Sequence, residues 1–253
     1  MKNTVVILFF VILLTGCVST PSNIGVSDYN DAKYTLHYNM GIARLSSSEP
    51  SFAMEEFLAA EKYKKVPELY FSMGQACFML KRYDLAISYF DKSLSIDKNY
   101  SSSYVGKGVV LRELGRYEEA IGEFNKALEN ILFHEPEKAY YNIALTYLAM
   151  KDQENAITYF KSTIQVKQDF LPPYYQLALV YMSLKNYEAA AEITKQLLNY
   201  APDSPEAHLL LGKAYLKLKK VASADVEFKE VIRLSPDSDS AREAQVLLME
   251  GDN

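Results

Sequence analysis

Along this chain the apolar positions return at a fixed interval. Alanine stands at 53, 86, 120, 156, 190 and 224, with spacings of 33, 34, 36, 34 and 34. Twelve residues before each comes a small residue: Gly41, Gly74, Gly108, Ala144, Ala178 and Gly212. Four residues after each comes Phe57, Phe90, Phe124, Phe160, Thr194 and Phe228. The interval predicts a row of helix pairs. The small residue of the first helix and the alanine of the second lie where the two cross closely, and a larger side chain there would force them apart. The phenylalanine fills the space beside the crossing. Segments such as Lys81-Arg82-Tyr83-Asp84, Gly115-Arg116-Tyr117-Glu118 and Lys185-Asn186-Tyr187-Glu188 mark the turn between helices, with an acid in the first turn of the second helix. Pro202 and Pro236 close the fifth and sixth units, because proline cannot continue a helix.

A period of 34 with these small and aromatic positions resembles the tetratricopeptide repeat. The resemblance implies an all-α fold, a right-handed superhelical solenoid of six helix-turn-helix repeats at about 34–66, 67–100, 101–136, 137–170, 171–204 and 205–238. Ser240 to Met249 reads as a capping helix over the last apolar face, so that 34–253 forms one domain. The longer spacing between Ala120 and Ala156 places two extra residues around Asn130 to Pro136, an apolar extension between the third and fourth repeats.

The N-terminus follows a different rule. After Lys2 an apolar run from Val5 to Leu14 suits the core of a signal peptide and is too short to span a bilayer as a stable helix. Leu14-Thr15-Gly16-Cys17 resembles the bacterial lipobox, in which a peptidase cuts before a cysteine that accepts lipid. The competing reading is an ordinary secretory signal with an incidental cysteine; the position of Cys17 and the length of the apolar run favour the lipobox. That resemblance implies a signal peptide at 1–16, lipidation of Cys17 and a membrane anchor made of acyl chains. Val18 stands where an aspartate would imply retention in the inner membrane, so the expected location is the periplasmic face of the bacterial outer membrane. Val18 to Lys33, rich in Ser, Asn, Pro and Asp, reads as a flexible tether with a reach of about 20 Å, making 17–33 a lipidated linker.

Candidate chemistry is sparse. A net charge of -5 with no cluster of Lys and Arg gives no field for nucleic acid. His37 and His208 fall where other repeats carry Tyr70, Tyr104, Tyr140 and Tyr174, and read as packing aromatics. His134 has no second ligand at metal spacing. With Cys17 lipidated, Cys77 is the one thiol left, at an apolar position that predicts a buried structural role. No phosphate loop, nucleophile elbow or zinc helix motif occurs. The expectation is a protein with no enzyme activity, no cofactor, no metal and no small-molecule substrate.

Function is expected on the concave face, lined by the first helix of each repeat. There the second, fifth, ninth and twelfth positions share one stripe. The fifth positions are Tyr38, Phe71, Val105, Tyr141, Tyr175 and Leu209; the ninth include Ile42, Val109, Leu145 and Leu179; the twelfth include Phe78. Part of this surface serves stacking between repeats. An apolar stripe over six repeats exceeds what stacking needs and predicts a groove for a helix or extended apolar segment of a protein partner.

Lipobox, six repeats and the junction from Ala127 to Lys138 together resemble the type IV pilus pilotin family, known as PilF, PilW or Tgl. The resemblance implies that the protein binds monomers of the pilus secretin, carries them to the outer membrane on its lipid and promotes their assembly into the pore ring. A scaffold lipoprotein of cell-wall synthesis, or of another envelope machine, is the alternative use of the same groove.

The lipobox reading has a direct test: Cys17→Ser should abolish labelling by radioactive or clickable fatty acid and leave uncleaved precursor or soluble protein. Unchanged labelling would reject it.

Overall fold

The computed structural model describes residues 26–251, and every regular element among the described residues is an α-helix. Six helix pairs follow one another: α1 (Val26–Ser46) with α2 (Pro50–Glu61), α3 (Pro67–Met79) with α4 (Tyr83–Ile96), α5 (Ser101–Glu113) with α6 (Tyr117–Glu129), α7 (Pro136–Ala149) with α8 (Gln153–Val166), α9 (Pro172–Ser183) with α10 (Tyr187–Tyr200), and α11 (Pro205–Lys217) with α12 (Val221–Leu234). A last helix, α13 (Asp239–Gly251), packs on α11 and α12. Prolines at 50, 67, 136, 172 and 205 occupy first turns, where the fixed φ suits a helix start and no intrahelical donor is lost.

The repeating alanines are fully buried, as are Phe57, Phe124, Phe160, Phe228 and, almost completely, Phe90. Burying one such ring contributes about 1.5–3 kcal/mol. Thr194, which replaces the fifth ring, is buried too; its Oγ1 donates to the Ala190 carbonyl at 2.7 Å, so the hydroxyl is satisfied inside the helix. The seams between repeats are closed by residues such as Met73, Ile143 and Leu177, each packed on the helices of the repeat before it.

Each turn inside a repeat has one geometry. Lys81, Lys151, Lys185 and Lys219, with Ser48 and Gly115, hold φ between 57° and 75° in the left-handed region. The amide of Lys81 donates to the Phe78 carbonyl and that of Arg82 to the Cys77 carbonyl, both at 2.8 Å, and the same pair of bonds recurs at every other turn of the set. This is the Schellman stop, which satisfies the last carbonyls of the first helix. It hands the chain straight to the next helix: Asp152 and Asn186, one residue on, cap α8 and α10 by accepting from the amides of Asn155 and Ala189.

One expected boundary is corrected. The flexible tether was expected to run to Lys33 and the first helix to start at Tyr34, whereas α1 begins at Val26, so residues 26–33 are helical. The polar residues of this stretch lie around a helix held by contacts further on. Tyr34 is buried in the core of the first seam and stacks on Tyr38, while Lys64 pairs with Asp31 at 3.1 Å and covers the Tyr34 ring. The expected signal peptide 1–16 and the acceptor Cys17 lie outside the described residues. At the other end α13 spans the expected capping segment and buries Ala241 and Ala244.

Glycine accepts a positive φ without penalty and lysine does not. Gly115→Ala should therefore cost about 1 kcal/mol, whereas Lys185→Gly should be neutral or stabilising by a few tenths, despite the added freedom of its unfolded chain. Urea midpoints at unchanged slope read both effects.

Candidate binding groove

Of the ten groove positions expected from sequence, nine are half-buried and Leu179 is more open, 39% exposed. Each therefore does two jobs. Its inner side packs against the repeat core, as Val105 and Val109 do beside Phe124, and as Tyr141 and Leu145 do beside Phe160. Its outer side faces solvent.

Four of the ten come together. Phe71 and Phe78 on α3 and Val105 and Val109 on α5 line one cavity of about 330 Å³. Its back wall is Phe90 of α4 and its far wall Phe133, from the junction before α7. Polar groups are confined to Gln75, Ser102, Glu135 and Lys138. A mostly apolar pocket with a few polar groups is the usual form of a ligand site, and at protein interfaces such pockets take the large anchor side chains. The remaining six expected residues, Tyr38, Ile42, Tyr141, Leu145, Tyr175 and Leu179, do not line this cavity; they carry the stripe onto the first helices α1, α7 and α9. Tyr38 is held by its hydroxyl, 3.3 Å from Ser72 Oγ, and Tyr141 meets Phe170 edge-on at 5.4 Å between centroids.

Two features of the cavity were not found from sequence. Gly106 lies one turn from Ser102 on α5, and a Cβ there would come within 2.6 Å of the Phe90 ring. Phe90 is thus held between Gly74 on one side and Gly106 on the other, and the missing side chain leaves the pocket its depth. Phe133 is the second. Asn130 pins the junction by donating from Nδ2 to the Asn99 carbonyl at 2.9 Å while its Oδ1 accepts from the Leu132 amide. That turn folds Phe133 inward and leaves Ile131 and Leu132 95% and 73% exposed. Repeat periodicity gives no signal for either, because Gly106 occupies a position that varies among repeats and Phe133 belongs to the two-residue insertion.

Electrostatics around the groove are mild. Phe71 meets Tyr100 edge-on at 5.8 Å, and the Tyr100 phenol is pushed up to about 12, first by burial and then by its neighbours Tyr38 and Glu68. Arg112, at the twelfth position of the third repeat, donates to Asn142 Oδ1 at 2.8 Å and joins α5 to α7. His37 stacks on Tyr63 with ring centroids 6.1 Å apart, and the Nδ1 atoms of His37 and His208 meet Glu56 and Glu227, on the second helices of their own repeats, at 2.7 and 2.6 Å. Among the described residues no group of three or more His, Cys, Asp or Glu side chains could hold a metal ion. No described helix is long and apolar enough to cross a membrane.

Six consecutive helix pairs, with a half-buried apolar stripe along their first helices, define a helical repeat protein. Tetratricopeptide repeat profiles match residues 65–131, 99–169, 147–213 and 182–248, and the chain belongs to that family. Two solved structures share the fold along nearly their whole length. One is PilF of Pseudomonas aeruginosa, 19% identical with a TM-score of 0.69, where the match covers 86% of this chain and 99% of that one. The other is PilW, described as a widely conserved type IV pilus biogenesis factor, also 19% identical, with a TM-score of 0.71 and coverage of 84% and 98%. In sequence the chain is similar to the regulatory protein RapD of Bacillus subtilis, 25% identical over 164 residues, and to a repeat protein of Methanocaldococcus jannaschii, 33% identical over 87 residues. It spans 45% and 15% of the lengths of those curated relatives, as expected where only repeats are shared.

Behind Phe71 and Phe78 lies Cys77, packed with Phe90 and Val110 and almost wholly buried. Burial pushes its thiol up to about 11. Iodoacetamide at pH 8 should leave Cys77 unmodified in the folded protein and alkylate it fully in denaturant; mass spectrometry of the peptide reads the difference.

Proposed function

We propose that this protein is an outer-membrane lipoprotein of type IV pilus biogenesis, a pilotin that holds an apolar segment of secretin monomers in the groove along α1, α3, α5, α7 and α9. The observation that carries the reading is the pairing of a fold shared end to end with PilF and PilW with an inner stripe that keeps its aromatic and aliphatic faces half open. The lipobox at Cys17 supports a membrane anchor. The protein would work by binding and delivery, without making or breaking bonds. The cavity between α3, α5 and the junction would seat one anchor side chain of the client, and the flanking stripe would hold the rest of the segment.

Deleting the gene tests the assignment: the heat-resistant secretin multimer should disappear from the outer membrane while monomer persists, and normal multimers with normal pili would reject it. A finer test changes the groove. Phe71→Lys or Phe78→Lys should weaken client binding about thirtyfold or more, because a central aromatic anchor contributes roughly 2 kcal/mol. Both positions are half-open to solvent, so thermal unfolding should move far less, and the two readouts together separate a binding defect from a folding one.

A further inference from the structure

The two ends of the solenoid are unlike. At the C-terminal end α13 lies over α11 and α12 and buries Ala241 and Ala244. At the N-terminal end no described helix precedes α1, and its outer face is apolar. Tyr29, Leu36 and Met40 are 52%, 51% and 40% exposed and fall, with Ala32 and Ala43, at spacings that place them on one stripe. Leu36 and Met40 hold the register that Leu69 and Met73 hold in the second repeat, where both are fully buried against the first. Ile143, Leu177 and Leu211 repeat the burial of Met73 further along. The first repeat thus presents the stacking face of an inner repeat, with no described repeat before it. Solenoid ends left open to water normally carry a polar surface.

We infer that this stripe lies on the surface of the lipid bilayer. The inference rests on the lipoprotein reading above, and the chain length between the two makes it specific. Eight residues, 18–25, lie between Cys17 and Val26, a span of nine Cα-to-Cα steps. Fully extended they reach about 30 Å, and as a flexible coil roughly 17 Å. The start of α1 is therefore held beside the membrane whatever path those residues take. The chemistry of the stripe suits the interface: a tyrosine, two long flexible apolar side chains, and Lys33 within the stripe, its ammonium 5.7 Å from the Tyr29 ring and free to reach headgroup phosphates while its stem stays on the apolar side. Asp31 falls on the opposite side of the helix, paired with Lys64. Three side chains would not hold a free protein on a membrane. A short tether raises the local concentration of the surface to the millimolar range, so a weak contact suffices to fix orientation. The lipid would then set where the protein is and α1 would set which way its groove faces.

The test uses the full acylated protein in vesicles of phosphatidylethanolamine and phosphatidylglycerol. An environment-sensitive fluorophore is attached at Leu36→Cys or Met40→Cys, with Val246→Cys on α13 as the distant control; buried Cys77 stays unlabelled. The probes at 36 and 40 should shift to the blue and be quenched by doxyl-labelled lipid at least twofold more than the probe at 246. Equal, water-like emission at all three sites overturns the inference. So does a blue shift at 36 and 40 without lipid quenching, which would mean that residues 18–25 or a second copy of the chain covers the stripe. The mass of the N-terminal peptide separates the two readings. Acyl chains on Cys17 with an unquenched probe sink only the docking of α1, whereas an unacylated Cys17 sinks the lipoprotein reading and the docking with it.

Discussion

In four of the six repeats the first helix meets the second through a glycine, and the place a Cβ would take is filled by the ring of a phenylalanine. At Gly74, Gly108 and Gly212 an added Cβ would stand 2.5 Å from the ring carbon, nearer than any packing tolerates, and Gly41 is tighter still. Close approach at this one point fixes the distance between the two helices of a repeat. It also decides what is left over. With the ring spent on the inside, the fifth, ninth and twelfth positions of the first helix need only part of their surface for stacking, and the remainder becomes the groove. Where the ring is doubly clasped, by Gly74 and Gly106 on Phe90, the groove deepens into its apolar cavity.

The repeating architecture was legible because its cause is local and periodic. Alanine, small residue and phenylalanine must recur at fixed offsets for the crossings to close, and a recurrence of that kind is visible without coordinates. The stripe was legible for the same reason, since helical spacing alone places Phe71, Phe78, Val105 and Val109 on one face. What escaped has no period. Gly106 makes a pocket by lacking a side chain where other repeats carry Asn39, Ser72, Asn142, Gln176 and Leu210. Phe133 enters the groove because Asn130 folds a two-residue insertion back on Asn99, a contact across 31 positions. The first eight residues of α1 read as tether because their own composition is polar; the helix is kept by Tyr34 and by the pair that Asp31 makes with Lys64.

Half-burial would also suit the stripe to the recognition proposed above. A fully buried side chain offers a partner nothing, and a fully exposed one must be ordered on binding at a cost in rotamer entropy. Phe71 is already held by Phe90 on one side and Tyr100 on the other, and Tyr141 by Phe160 and Phe170. These rings keep their positions before a partner arrives, so little freedom remains to be lost. The junction works similarly for Phe133, which the Asn130 turn directs into the groove.

The helix pairs in substantial contact are all neighbours in sequence or one helix apart. Nothing near the beginning of the described chain waits for anything near its end. Folds of such low contact order belong to the microsecond-to-millisecond class, and repeat arrays can nucleate at any unit and grow outward. With its remaining thiol buried and no disulfide to form, a chain exported as proposed here could regain its shape one repeat at a time as it emerges. Its first repeat, nearest the anchor, could pack before α13 had left the other side of the membrane.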